Sequence, residues 1–205
     1  MKPLEIDTPH GVARVYLHAA KNPIAALILG HGAGGSVDAP DLIAATDAAT
    51  SAGFTVALVE QPYRVAGKRS SPAPSRLDEV WTAVVEQLRG DRLRDLPIVV
   101  GGRSAGARVA CRTAAETGAI AVLCLAFPLH PPGRPERSRQ DELDAVSVPT
   151  LIVQGDRDQF GSPRAGKNCT VVKVPGNHGL KKDLDAVAEA VREGLPGLVG
   201  KAAVG

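Results

Sequence analysis

The feature that most constrains the fold is an alternation of short apolar runs with longer helical patterns along the chain. Seven runs are rich in β-branched or aliphatic residues: 13–18, 25–29, 55–59, 98–100, 120–125, 151–153 and 170–174. The first alternates apolar with polar residues, which indicates a half-exposed strand, and the other six are apolar enough for buried central strands. Such strands separated by helices predict the α/β class, with a mostly parallel sheet covered by helices on both faces.

Four segments between these runs have apolar residues at helical spacing. They are residues 41–52, 76–89, 105–117 and 182–193. Gly53, Gly90, Gly118 and Gly194 stand where a glycine would end each helix. A chain of 205 residues, 44% of them hydrophobic, can bury one sizeable core, so we predict a single domain over residues 1–205. Residues 197–205 are mostly small and are expected to form a frayed tail.

Two segments rich in turn-forming residues interrupt the alternation. Residues 61–75 combine Pro, Gly, Ser and basic residues, and residues 127–140 carry four prolines. Both follow predicted strands, and in an open α/β sheet the loops at the carboxyl ends of the strands form the ligand crevice. We therefore expect both segments to wall a binding site.

Charge and cysteine content exclude several classes of function. A formal charge of +2 gives no electrostatic reason to expect a nucleic acid or a membrane surface as partner. The three cysteines are widely spaced and form no Cys-x-x-Cys pair, which favours reduced thiols in a cytoplasm over disulfides or a zinc site. The acidic N-terminal segment lacks the apolar core of a signal peptide, and no apolar run is long enough to cross a bilayer. These features predict a cytoplasmic protein without metal or cofactor.

The sequence Gly102-Arg103-Ser104-Ala105-Gly106 is the strongest chemical motif in the chain. It follows a predicted strand and precedes a predicted helix, the placement of a nucleophile elbow. Glycines two residues either side of the serine would avoid collisions where strand and helix close around it, and the strained turn would expose the serine hydroxyl. The alternative interpretation is a tight strand-to-helix turn in which Ser104 caps the helix.

A nucleophilic serine needs a base and a third group that orients the base. Downstream, one predicted strand ends in Gly155-Asp156-Arg157-Asp158 and the next in a loop that carries His178, which is the chain order Ser, acid, His. We favour Asp158 over Asp156, because Asp156 directly follows Gly155 and suits a cap of the next turn. His178 could instead be an exposed turn histidine.

A Gly-rich turn, His31-Gly32-Ala33-Gly34-Gly35, follows the strand at 25–29. Ester or amide hydrolysis passes through an oxyanion, which backbone N–H groups stabilise. The expected donors are Ala33 and Ala105. The spacing of the turn does not match the phosphate-binding glycine motifs, and His31 is expected to order the loop through hydrogen bonds.

Five stretches of the sequence carry a resemblance to a known superfamily. They are residues 29–34 (LGHGAG), 61–63 (QPY), 101–108 (GGRSAGAR), 127–133 (FPLHPPG) and 154–161 (QGDRDQFG). The chain resembles the α/β-hydrolases, in particular a small, lidless group that includes dienelactone-hydrolase-like proteins. It is more closely similar to the testis-expressed and chromatin-complex hydrolase-like domains and their bacterial relatives. The resemblance implies Asp158 as the acid and His178 as the histidine. The group tends to carry methionine where Ala105 stands, so the pocket wall is expected to be more open.

The predicted function is serine hydrolysis of a small carboxylic ester or thioester, with a small-molecule acyl compound as the partner. The alternatives are a catalytically silent interaction module and a peptidase or amidase that uses the same side chains. His31, Tyr63, Arg103 and His130 are candidate pocket residues. Basic residues occur in or beside the expected crevice loops: Arg64, Lys68, Arg69, Arg103, Arg134, Arg137 and Arg157. They favour an anionic substrate or are ordinary solvated surface charge.

Overall fold

The computed structural model of the protein describes residues 2–202 and contains one eight-stranded sheet. The strands are β1 (Leu4–Thr8), β2 (Gly11–His18), β3 (Ala25–Gly30), β4 (Phe54–Glu60), β5 (Ile98–Arg103), β6 (Ala121–Leu125), β7 (Thr150–Gly155) and β8 (Cys169–Val174). The helices are α1 (Pro40–Ser51), α2 (Pro62–Val65), α3 (Pro74–Gly90), α4 (Ala105–Thr113), α5 (Gln140–Asp144) and α6 (Leu184–Ala202).

The strands lie in the order β1-β2-β4-β3-β5-β6-β7-β8. The β1–β2 and β2–β4 pairs are antiparallel, and every other pair is parallel. The predicted α/β class with a mostly parallel central sheet is therefore confirmed. Because the parallel strands run in one direction, the segments after β3, β5, β7 and β8 all leave from the carboxyl ends of the strands, on one side of the molecule.

Successive side chains of the central strands enter two separate cores. In β3, Ile28 lies on the face covered by α3, α4 and α5, whereas Leu27 and Leu29 lie on the face covered by α1 and α6. All six residues of β3 are buried, as expected for a strand with helices on both faces. This packing fixes the strand ends that carry the site. Within residues 2–202, no helix has both the length and the apolar stretch that a membrane span requires.

The edges of the sheet differ from the sequence-based expectation. Strand β1 was not predicted, although Ile6 is fully buried against the core. The prediction of a buried strand at 170–174 is wrong, because β8 is an edge strand whose residues are mostly exposed or half-buried. An edge strand has a neighbour on one side only, so apolar content overstates its burial.

The helix ends show three further corrections. Helix α4 ends at Thr113, short of the predicted residue 117. Gly194 does not end a helix: it lies inside α6, where a Cβ atom would meet the Leu151 side chain, so it permits close packing of α6 on β7. The expected tail at 197–205 is wrong for residues 197–202, which continue α6 with Leu198 buried. Residues 203–205 lie outside the described part of the chain.

Candidate active site

Ser104 lies in a strained turn between β5 and α4. Its backbone has φ 54° and ψ −110°, a combination that non-glycine residues rarely adopt and that costs about 1–3 kcal/mol. The Ser104 N–H donates to the Leu125 carbonyl oxygen at 2.9 Å, which ties the turn to β6. No side-chain cap bond joins Ser104 to its helix, so the capping interpretation does not describe this turn.

Gly102 and Gly106 allow the turn to close against the end of β3. A Cβ atom on Gly102 would lie 2.5 Å from the Gly30 carbonyl oxygen. One on Gly106 would lie 2.6 Å from the Gly30 carbonyl carbon and closer still to its oxygen. Both neighbours are main-chain atoms that cannot rotate away. The glycine spacing predicted from the sequence therefore has a direct steric cause.

A chain of hydrogen bonds joins Ser104, His178 and Asp158. The His178 Nε2 atom lies 2.8 Å from the Ser104 Oγ atom, and the His178 Nδ1 atom lies 2.8 Å from the Asp158 Oδ2 atom. The carboxylate accepts the Nδ1 proton, so Nε2 carries the free lone pair that accepts the serine O–H. The Asp158 side chain is 1% exposed and that of His178 is 12% exposed, so the contact is largely shielded from water.

Asp156, the alternative acid, does not contact His178. Its Oδ1 atom accepts a hydrogen bond from the Gly176 N–H at 2.8 Å, and this bond is the main cause that lowers the pKa of the exposed Asp156 carboxyl. This bond joins the turn after β7 to the loop after β8, so Asp156 does not cap the next turn as the sequence suggested.

Two groups that the sequence analysis missed hold Asp158. The Gln154 Nε2 atom donates to Asp158 Oδ2 at 2.8 Å, and the Phe160 N–H donates to Asp158 Oδ1 at 2.8 Å. Gln154 is fully buried in β7 and also contacts the Phe127 and Gly161 carbonyl oxygens. The sequence signal that could have identified Gln154 was a single polar residue directly after the apolar run 151–153.

The His178 loop packs directly on the end of β7 and on the elbow. A Cβ atom on Gly155 would lie 2.6 Å from the Asn177 carbonyl oxygen, so this close approach requires glycine. The Arg103 Nη2 atom donates to the His178 carbonyl oxygen at 3.2 Å. The Phe160 ring stands edge-on to the imidazole, with ring centroids 4.4 Å apart. These contacts fix the loop and the ring orientation.

The Ala33 and Ala105 N–H groups form no hydrogen bond to any other group within residues 2–202. Ala105 is the first residue of α4, where backbone N–H groups have no partner within the helix and favour negative charge. Both residues line the same cavity as Ser104. Two free donors near a serine hydroxyl are the arrangement that an oxyanion requires.

His31 orders the Gly-rich turn, as the sequence analysis expected. Its Nε2 atom accepts the Gln61 N–H at 3.1 Å, so its Nδ1 atom carries the proton and donates to the Gly32 carbonyl oxygen at 2.8 Å. That carbonyl belongs to the same peptide plane as the Ala33 N–H. Burial lowers the pKa of His31, which keeps the ring neutral. The Tyr63 hydroxyl donates to the Ala33 carbonyl oxygen at 2.7 Å.

Ser104 opens into a cavity of about 540 Å³, here called the Ser104 cavity. Its lining residues are Ala33, Gly34, Gly35, Arg103, Ser104, Ala105, Arg108, Pro128, His130, Pro132, Arg139, Phe160 and His178. The segment 127–140 walls it as predicted, and Arg103 and His130 are lining residues. The prediction that segment 61–75 walls it is wrong. That segment forms α2 and borders a separate cavity of about 210 Å³.

Tyr63 and His31 were predicted as pocket residues, and neither lines the Ser104 cavity. His31 belongs to the Gly-rich turn and Tyr63 packs beside it, with the two ring centroids 5.8 Å apart, and both hold the turn through hydrogen bonds. Within residues 2–202, no group of three or more His, Cys, Asp or Glu side chains is arranged to hold a metal ion.

Several solved structures of known proteins have a fold similar to that of this chain. A serine hydrolase without a lid from Xanthomonas campestris has a TM-score of 0.76 and 22% identity, covering 95% of this chain and 93% of that one. Est1E from Butyrivibrio proteoclasticus, solved with ferulic acid bound, has a TM-score of 0.79 and 21% identity over 96% and 99% of the two chains. A dienelactone hydrolase from Anabaena variabilis has a TM-score of 0.73 and 18% identity over 97% and 99%.

A family model described as an alpha/beta hydrolase domain matches residues 23–182, which run from the start of the parallel strands to just beyond His178. The matched segment contains the elbow, the Gly-rich turn, Asp158 and His178. The superfamily resemblance drawn from the sequence is therefore confirmed. The chain belongs to the alpha/beta hydrolase domain family and is a hydrolase.

Proposed function

We propose that the protein is a serine hydrolase of small carboxylic esters or thioesters that works through an acyl-enzyme intermediate. The observation that carries this proposal is the unbroken hydrogen-bond chain from Ser104 Oγ through His178 to Asp158 at the Ser104 cavity. A serine hydroxyl is a weak nucleophile at neutral pH, and this chain supplies the base and the group that orients it.

In the first half-reaction, Ser104 Oγ attacks the carbonyl carbon of the ester while His178 Nε2 takes the hydroxyl proton. The carbonyl π electrons move to oxygen, and the Ala33 and Ala105 N–H groups stabilise that oxyanion. Asp158 stabilises the imidazolium through the Nδ1–H bond. When the tetrahedral species collapses, the bond to the alcohol or thiol breaks, and the leaving group takes the proton from His178.

In the second half-reaction, water attacks the acyl carbon of the Ser104 ester. His178 removes a proton from that water and returns it to Ser104 Oγ as the acyl bond breaks, which releases a carboxylic acid. The hydrogen bond from His31 to the Gly32 carbonyl oxygen supports Ala33 as a fixed donor in both halves. Electrostatic stabilisation by one such donor typically contributes about 10²–10³-fold to kcat.

The size and shape of the site support a small substrate. Between β6 and β7 the chain forms only a loop and the five-residue helix α5, so this connection supplies no large lid over Ser104. Among the structurally similar proteins, one is named a dienelactone hydrolase and another holds ferulic acid. These names support a small acyl compound as the substrate.

The test is steady-state hydrolysis of short-chain aryl esters and matched thioesters by the purified chain and by Ser104→Ala. We expect turnover by the wild type and loss to the uncatalysed rate in the variant. A Ser36→Ala variant, which changes a serine outside the Ser104 cavity, is the matched control and should retain the wild-type rate. Undiminished turnover by Ser104→Ala would rule out the proposed mechanism.

A further inference from the structure

The charged residues that line the Ser104 cavity are all arginines. Arg103, Arg108 and Arg139 line it, and among residues 2–202 no acidic side chain does. Arg103 Nε donates to the buried carboxylate of Asp41 at 2.8 Å. Arg108 Nε donates to Glu142 at 2.9 Å, with a second, shorter bond from its Nη2 atom. Two of the three cations are therefore neutralised by carboxylates behind the cavity wall.

Arg139 is the third cation, and it has no ion pair within residues 2–202. Its backbone N–H donates to the Leu129 carbonyl oxygen at 2.7 Å, and its side-chain Nη1 atom donates to the Pro128 carbonyl oxygen at 2.9 Å. The first bond fixes the backbone of Arg139 within segment 127–140, and the second holds its side chain on the wall that this segment forms. Its Nε and Nη2 donors have no protein acceptor in the described part of the chain.

The surroundings of Arg139 disfavour its positive charge. Burial is the main cause that lowers the pKa of the Arg139 guanidinium, and repulsion by Arg108 is the next. A guanidinium nevertheless stays protonated at neutral pH. Glu142 attracts it, but that carboxylate is held by two bonds to Arg108. A partly buried cation among other cations is stabilised by an anion that enters the cavity.

We propose that the Ser104 cavity selects esters that carry a carboxylate group, with Arg139 as the residue that binds the carboxylate. One uncompensated charge matches a monoanion, and a planar guanidinium with free donors matches the geometry of a carboxylate. The inference rests on the proposed ester hydrolysis at Ser104. Arg139 was absent from the basic residues singled out in the sequence, of which only Arg103 lines the cavity.

The test uses two pairs of aryl esters. In the first pair, an aryl hydrogen succinate and the corresponding aryl butyrate differ by a carboxylate on the acyl side. In the second, the acetates of 4-hydroxybenzoate and of 4-methylphenol differ by a carboxylate on the alcohol side. The measured quantity is the ratio of kcat/KM for the anionic ester to that for the neutral ester in each pair.

We expect the wild type to favour the anionic ester in one pair, and that pair identifies the side of the scissile bond that faces Arg139. Arg139→Gln should lower the ratio by about 13–160-fold, because a hydrogen bond to a charged group contributes about 1.5–3 kcal/mol. Arg139→Lys keeps the charge without the planar fork, so its ratio should fall between those of the wild type and Arg139→Gln. Arg137→Gln is the matched control, since Arg137 is exposed on the same segment and does not line the cavity.

Two results would overturn the inference while leaving the proposed hydrolysis intact. One is turnover of all esters by the wild type with no preference for the anionic member of either pair. The other is a preference that Arg139→Gln, folded by circular dichroism, retains in full. If the wild type hydrolyses none of the four esters and a fluorophosphonate does not label Ser104, the proposed function fails as well.

Discussion

Gly106→Ala tests whether the elbow depends on direct contact between main-chain atoms. A Cβ atom at this position would lie 2.6 Å from the Gly30 carbonyl carbon and 2.8 Å from the His31 carbonyl oxygen. The Gly30 oxygen would be nearer than either. Since ordinary contacts begin at 3.4 Å, β3 and α4 would have to separate by at least about 0.8 Å to accept one methyl group.

The expected loss of stability follows from this overlap. Overpacking of a well-packed core costs about 1–3 kcal/mol, and the upper value applies here because all three neighbours are backbone atoms. Alanine is favoured over glycine inside a helix by about 1 kcal/mol, which leaves a net loss of about 2 kcal/mol. For a domain of this size, 1 kcal/mol lowers Tm by about 2–4 °C, so the expected fall is about 4–8 °C.

Thermal unfolding followed by circular dichroism measures this change. Gly197→Ala is the control, because Gly197 lies in α6 and no atom stands within 4 Å of its added Cβ. That variant should be as stable as the wild type or more stable by up to about 1 kcal/mol. An unchanged Tm for Gly106→Ala would refute the steric account of the elbow.

Three further variants test the groups around the serine. Asp158→Asn should lower kcat by roughly 10⁴-fold through loss of the imidazole orientation, whereas Asp156→Asn should stay within about threefold of the wild type; equal losses would contradict the assignment. Gln154→Met should lower the free energy of unfolding in urea by about 2 kcal/mol, because three acceptors lose a donor, and no change would show that this amide is dispensable. Burial lowers the pKa of His31 below 6.5. The contribution of neutral His31 to the free energy of unfolding should therefore be fully present above pH 6.5 and be lost as the pH drops through the folded-state pKa. In His31→Gln, the difference in urea midpoint between pH 8 and pH 5 should shrink, and an unchanged difference would exclude His31 as its source.

The parallel strands were predictable because most of them are runs of consecutive apolar residues. Every residue of β3 faces a helix-covered core, so composition alone identified it. The edges were harder, because β1 is short and two of its five residues are exposed, and β8 has no neighbour beyond it. Gly194 resembled a helix end because its actual reason, contact with Leu151, depends on the packing of α6 against the sheet.

In the candidate site, residues fixed by local chain geometry were predictable, and residues recruited across the fold were not. Ser104, Asp158 and His178 each follow a strand, and strand ends on one edge of a parallel sheet converge, so the structure brings them together. Arg139 lines the Ser104 cavity because its loop packs near α4, and this packing cannot be predicted from the local sequence. Tyr63 was assigned to the pocket from its loop, yet it supports the Gly-rich turn from behind.

The most direct test of the central claim is covalent labelling of Ser104 by a fluorophosphonate, read by mass spectrometry of the digested protein. The mechanism predicts one phosphonyl adduct, on the peptide that contains Ser104, with no adduct in Ser104→Ala and slower labelling in His178→Ala. An unlabelled wild type, or an adduct on another residue that persists in Ser104→Ala, would contradict a nucleophilic Ser104.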